Sequence, residues 1–203
     1  MCPFIVTTAR TTRQFRSSVM CSRRRSRREG RADFGDAKSR ELTVLGGSTP
    51  RLVDTSNVIR AGVPADLAAV RDVYRRASLS NAGDRAVLLA HPEHLILGPE
   101  GLDEGRTQVA EEDGSVVGFA TWTEAGGVTE LEDLFVDPGW RRRGIATALV
   151  KGIAEVLRAR GVERLEVTAN PHAMGFYTAI GFARCGVAST EFSEAPRMVL
   201  VIR

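Results

Sequence analysis

The chain has 203 residues, with 28 Lys and Arg against 25 Asp and Glu and 43% hydrophobic residues. That is long enough for one domain of ordinary size with an extension, and no apolar run approaches the roughly 20 residues of a membrane-spanning helix. The net charge of +3 hides an asymmetry, because residues 1–56 carry 12 basic and 5 acidic side chains while residues 57–203 carry 16 and 20. A basic extension (1–56) is therefore joined to a mildly acidic domain (57–203). Cys2, Cys21 and Cys185 have neither metal-ligand spacing nor a disulfide pattern, so a cytoplasmic, reducing compartment is expected.

Residues 1–56 mix Arg, Ser, Thr and Gly without a sustained apolar period, and residues 23–28 are the densest basic part. Such a composition reads first as disordered. Contact with nucleic acid or an anionic surface ranks below that. A targeting segment is a further reading, since residues 1–28 are rich in Arg and Ser, but the apolar core of a secretion signal is missing. The excess of Arg over Lys, 26 to 2, suggests GC-rich coding, in which a start assigned too far upstream is another reading. No function is assigned to this extension.

The domain begins with a short strand at 58–60. Pro64 suits the first position of a helix with Asp66 in its first turn, and Leu67, Val70, Val73, Tyr74 and Ala77 have the spacing of one helical face. A second helix is expected over 84–90, closed by His91-Pro92, and 91–105 reads as loop. His91, Glu93 and His94 carry ligand chemistry, but Pro92 breaks the helix that would align them, so no metal site is expected. Strands at 107–112 and 116–123 flank Asp113-Gly114-Ser115, a hairpin signal, and Gly126-Gly127 makes the next turn.

Residues 128–136 form a long central strand, which Asp137-Pro138-Gly139 stops. Strict alternation along it places Glu130, Glu132, Leu134 and Val136 on one face and Leu131, Asp133 and Phe135 on the other. Three arginines follow, Arg141, Arg142 and Arg143, and then a helix opening on Gly144, with Ile145, Leu149, Ile153, Val156 and Leu157 on one face and Gly161 at its end. A glycine at the first turn lets a ligand approach free N–H groups, where the helix dipole favours an anion. The stretch is a candidate diphosphate cradle. A strand at 164–169, a short helix at 171–180 capped by Asn170 and ended by Gly181, and strands at about 183–190 and 197–202 complete the chain.

Arg141-x-x-Gly144-x-Ala146 after a strand resembles the pyrophosphate loop of the GCN5-related N-acetyltransferases (the GNAT superfamily), whose pattern is Gln/Arg-x-x-Gly-x-Gly/Ala. Asn170-x-x-Ala173-x-x-Phe176-Tyr177-x-x-x-Gly181-Phe182 resembles the superfamily's second signature, in the family's order and separation. The resemblance covers about 58–203. It implies the GNAT acyl-CoA fold, an α/β arrangement with a central mixed sheet flanked by helices, in the order β-α-α-β-β-β-α-β-α-β-β. It also implies an N-acetyltransferase that moves acetyl from acetyl-CoA to a primary amine by direct attack in a ternary complex.

Site residues follow from the same resemblance. Backbone N–H groups of Arg142, Arg143, Gly144, Ile145, Ala146 and Thr147, beside the charge of Arg141, would hold the CoA diphosphate. The backbone of Phe135 and Val136 would pair with the pantetheine arm where the strand splays from 164–169, and the Val136 N–H would point toward the thioester oxygen. Tyr177 would donate a proton to the leaving thiolate, as a phenol of pKa about 10 can; packing as a buried aromatic is the competing reading. Asn170 caps its helix and is placed beside the CoA arm, and Phe176 is assigned mainly to the core. For the general base Glu132 comes first, then Glu130 and Asp133, since a desolvated carboxylate shifts toward a useful range. A solvent-facing strand start, an ion pair with an arginine, or a water chain compete with that role. The family commonly has a bulge here, which would shift the parity.

These acids, with Glu111 and Glu112, imply a cationic amine acceptor. No metal and no membrane contact are expected, a homodimer is left open, and a CoA-binding regulatory module without turnover is the alternative.

Overall fold

The computed structural model describes residues 6–7 (backbone), 58–83, 85–189 and 194–203. The basic stretch at 23–28 and the readings attached to it lie outside the described residues, as do Asp84 and residue 190. In chain order the elements are β1 (Val6–Thr7), β2 (Val58–Ala61), α1 (Leu67–Leu79), α2 (Arg85–Ala90), α3 (Glu100–Asp103), β3 (Thr107–Glu112), β4 (Ser115–Ala125), β5 (Val128–Val136), α4 (Ile145–Ala159), β6 (Arg164–Thr168), α5 (Met174–Ala179), β7 (Ala183–Ser189) and β8 (Glu194–Val201). Seven strands lie in the order β2-β3-β4-β5-β6-β8-β7, and β1 pairs with β5 off that path. The β5–β6 pair is parallel, with α4 as its crossover, and the other pairs are antiparallel.

Local chemistry accounts for the hairpins. Asp113 and Gly114 join β3 to β4 with φ of 48° and 75°, and Gly126 and Gly127 join β4 to β5 with 60° and 78°. Both turns therefore have left-handed central residues, the twist that matches flanking strands.

Each face of the sheet is covered mainly by one long helix. Under α4, Ile145, Leu149, Ile153 and Leu157 pack with Leu131, Leu134, Leu165 and Val167. Over the opposite face, Val70, Val73, Tyr74 and Ala77 of α1 pack with Val109, Phe119 and Phe135. Phe135 stacks on Phe119 at 5.5 Å between ring centres and meets the edge of Tyr74 at 4.8 Å.

Two expectations are corrected. Residues 91–105 are not featureless: a 3-10 turn spans Pro92–Leu95 and α3 follows. Pro92 presets the turn's φ, and Leu97 and Leu102 pin the segment by burying against the α1 side. Strict alternation along β5 also fails. The register with β4 runs from Thr121↔Asp133 to Trp122↔Leu131, which leaves Glu132 as an extra, bulged residue. Leu131 thus shares the α4-side core with Leu134, and Val136 packs against it, while Phe135 joins the α1 side. One inserted residue reverses the facing of everything before it.

Leu149 is fully buried where α4 crosses β4 and β5. Leu149→Ala is expected to lower unfolding free energy by about 2–5 kcal/mol, read as a shift in denaturant midpoint at unchanged slope.

Candidate active site

Among the described residues β5 and β6 share a single parallel pairing, Glu130↔Glu166. Beyond it the strands diverge, while β5 stays paired to β4 as far as Gly118↔Val136. The β6-side edge of β5 is therefore open past Glu130. Val6 and Thr7 pair antiparallel there, opposite Leu134 and Asp133, so this edge accepts an extended chain.

The mouth of the cleft is the N-terminus of α4. Arg141 is extended, Arg142 has φ 65° and Gly144 φ 81°. The first intrahelical bond runs from the Ala148 N–H to the Gly144 carbonyl at 3.0 Å, which leaves the N–H groups of Ile145, Ala146 and Thr147 without intrahelical partners. A Cβ on Gly144 would meet nothing within 4 Å. The space in front of this turn is open, and the glycine is required by its φ. Positive potential from the dipole and open N–H groups makes the turn suited to an anion.

The three arginines take separate places. The Arg141 side chain turns inward, donating to Ser80 Oγ at 2.5 Å and to the Ala77 carbonyl at 3.5 Å. Its Nε is buried without a partner among the described residues, and desolvation pulls its pKa down from the ordinary guanidinium value. Arg143 lies over Trp140, 4.5 Å from the ring centre, and Arg142 is exposed. Asp137 ties the turn together: one carboxylate oxygen accepts from the Gly139 N–H at 2.9 Å and the other from Arg76 Nε at 2.6 Å. The loop is thus fastened to the C-terminal end of α1 from two sides.

Tyr177 is fully buried on α5, with its ring edge-on to Phe176 and Phe182, each 5.2 Å away. Its hydroxyl has no hydrogen-bond partner among the described residues, and burial drives its pKa well above the ordinary phenol value. It stays protonated at neutral pH and can donate a hydrogen bond, but it is a weaker acid than a free phenol. Asn170 caps the preceding 3-10 turn by accepting from the His172 N–H at 2.9 Å. Phe176 is half-buried against the α4-side core.

Of the acids, Glu132 is half-buried at the bulge itself and Asp133 is buried. Glu130 sits at the vertex of the cleft and accepts from Arg197 Nη1 and Thr168 Oγ1, both at 2.8 Å. Arg197 also donates through Nε to Glu166 at 3.1 Å. Two carboxylates lie side by side on adjacent strands here, an arrangement that repels unless a cation bridges it. Arg197 supplies the bridge, and attraction to the two glutamates raises its pKa against the desolvation of its half-buried position. Glu111 and Glu112 are elsewhere, two strands away on β3, and Glu111 pairs with Arg60 at 2.7 Å. Glu166, Thr168 and Arg197 were not singled out in the sequence. Alternation of Glu166 and Thr168 with Leu165 and Val167 was the available signal for the first two, and nothing local marks Arg197.

Pro92 gathers, rather than separates, the side chains around it: ligand atoms of His91, Glu93 and His94 lie within 4.8 Å of one another on an exposed turn.

The mixed sheet with its flanking helices superposes on solved acetyltransferases. PaiA N-acetyltransferase from Thermoplasma acidophilum, in complex with coenzyme A, superposes with a TM-score of 0.57 at 19% identity over 72% of this chain and 99% of that one. Ard1 from Thermoplasma volcanium gives 0.53 at 26% identity over 73% and 99%. Residues 68–182 match the model of the Acetyltransferase (GNAT) family, and the chain belongs to that family. Streptothricin acetyltransferase of Streptomyces lavendulae is 40% identical over 105 residues, 47% of this chain and 54% of its own length. Glucosamine 6-phosphate N-acetyltransferase 1 of Oryza sativa subsp. japonica is 31% identical over 96 residues, 47% and 56% respectively. The chain spans about half the length of these curated relatives. Among the described residues no helix is long and apolar enough to cross a membrane.

Two variants read the site through stability. Tyr177→Phe removes a buried unsatisfied hydroxyl and is expected to raise unfolding free energy by about 1 kcal/mol in ligand-free protein, seen as a higher denaturant midpoint. Arg197→Ala leaves Glu130 and Glu166 facing each other and should cost about 2 kcal/mol at neutral pH, less than a fully buried pair because these side chains keep some exposure. Denaturant melts of both proteins at pH 7 check the sign.

Proposed function

We propose that this chain is an acetyl-CoA-dependent N-acetyltransferase that passes acetyl to a primary amine by direct attack in a ternary complex. The observation that carries the reading is the open edge of β5, which ends at an anion-suited helix N-terminus. A long donor with a diphosphate at one end and an amide-bearing arm at the other matches both features at once. The N–H groups of Arg142 to Thr147 would bind the diphosphate, with Arg141 acting from behind as an anchor for the turn. Backbone groups of Phe135 and Val136 would pair with the arm, and the Val136 N–H would polarise the thioester oxygen.

When the carbon–sulfur bond breaks, the electron pair leaves with sulfur, and the Tyr177 hydroxyl donates its proton there. The raised pKa keeps that hydroxyl protonated and able to hydrogen-bond the departing sulfur, while making it a weaker acid, so the hydrogen bond precedes the transfer. Glu132 at the bulge is first choice for taking the amine proton, directly or through water, followed by Glu130, which Arg197 and Thr168 hold in place, and Asp133. Phe176 and Asn170 hold the Tyr177 helix in place. Half-buried and buried acids beside the cleft favour a cationic amine, and the similarity to a streptothricin acetyltransferase makes streptothricin the first acceptor to try, ahead of other amines and peptides.

The full chain is expected to release free thiol from acetyl-CoA with one acceptor class, and Tyr177→Phe to cut that rate at least about tenfold, some 1.4 kcal/mol of barrier. Release unaffected by the variant would remove Tyr177 from the chemistry. Binding of acetyl-CoA without release for any acceptor would favour a regulatory module that does not turn over.

A further inference from the structure

The open edge of β5 already has an occupant in this chain. Val6 lies opposite Leu134 and Thr7 opposite Asp133, antiparallel, on the side from which β6 has departed. From Val6 to Thr7 the segment runs from Leu134 to Asp133, so its Val6 end lies next to Phe135. We propose that Val6–Thr7 is a strand plug on the donor cleft, and that its docking and the docking of an acyl-CoA arm exclude one another. The inference rests on the proposed transferase reading, because that reading assigns the arm to the backbone of Phe135 and Val136.

The physical case is one of unpaired backbone. An exposed strand edge presents N–H and C=O groups that gain by pairing with whatever extended chain arrives. Residues 133–134 adjoin 135–136 on one edge, with about 3.3 Å per residue along the strand. A plug and an arm approaching from the same side therefore meet within a residue's length. The thioester end, where Val136 and Tyr177 must act, falls in the contested span. Tyr177 is consistent with this: its buried hydroxyl finds no partner among the described residues, whereas a bound thioester would give it one. Because the plug belongs to the same chain, its effective concentration is fixed by the tether. Occupancy should then respond to donor concentration and not to dilution of the protein.

Proline at both plug positions removes the N–H donors of the pairing and leaves the domain untouched. Val6→Pro/Thr7→Pro in the full chain is compared with wild type and with Ser48→Pro, a proline control elsewhere in the extension. Two readouts are taken: amide hydrogen exchange of peptides covering 131–136, and the Kd of coenzyme A by calorimetry. The expected result is faster exchange over 131–136 in the double variant, restored by coenzyme A, and a Kd about fivefold tighter, the worth of roughly one net backbone hydrogen bond. Wild type and Ser48→Pro should match each other in both. Equal exchange in all three proteins overturns the plug. Faster exchange with an unchanged Kd shows docking without competition and overturns the exclusion. If none of the three binds coenzyme A, the transferase reading fails, while the exchange comparison still decides whether the strand docks.

Discussion

The divergence of β5 from β6 after their pairing at Glu130 and Glu166 is the constraint on which the rest of the molecule depends. A parallel pair held along its whole length would satisfy its own backbone and leave no place for an extended ligand. Here the pairing stops, α4 still has to cross from one strand to the other, and its N-terminus comes to stand over the gap. The cleft, its backbone donors and its anion-suited end are consequences of one departure from regular pairing. The like-charged vertex has to be held by Arg197, because two strands that separate at a pair of carboxylates would otherwise be pushed apart at that point.

The loop at the mouth of the cleft is not independent of the helix on the far face. Arg76 reaches Asp137 and Arg141 reaches Ser80 and the Ala77 carbonyl, so the turn before α4 and the end of α1 are fastened together by charge and hydrogen bonds. The inward turn of Arg141 costs desolvation, evident in its lowered pKa and its unpaired Nε. Its charge therefore reaches an anion at the loop only as a background field, and the close contacts fall to the backbone, whose N–H groups are held in place by the strained turn at Arg142 and Gly144.

Tyr177 is buried at a cost to stability. A phenol sealed among aromatic rings with no partner for its hydroxyl destabilises the empty protein, and phenylalanine would pack there at lower cost. The same burial keeps the proton on the oxygen, so the hydroxyl remains a hydrogen-bond donor and becomes a weaker acid.

Much of the fold could be read along the chain because the signals are local: the Asp-Gly and Gly-Gly turns, the single apolar face of α4, the glycine at its start and Asn170 before α5 each act within a few residues. The two motifs lie for the same reason on the turn that opens α4 at Gly144 and on the short helix that carries Tyr177. Other features were decided only by the folded sheet. The bulge at Glu132 reverses the facing of Leu131, and no local pattern announces it, since an extra residue is defined by the strand opposite. The bridge of Arg197 to Glu130 and Glu166 joins residues far apart in sequence whose charges become neighbours through sheet order alone. The inward turn of Arg141 follows from the position of α1, and the pairing of Val6–Thr7 with β5 depends on an edge that exists only because β6 has moved away. Short-range sterics and periodicity set the elements and the glycine-opened turn before α4; register and strand order, which are long-range, set the charges and the open edge.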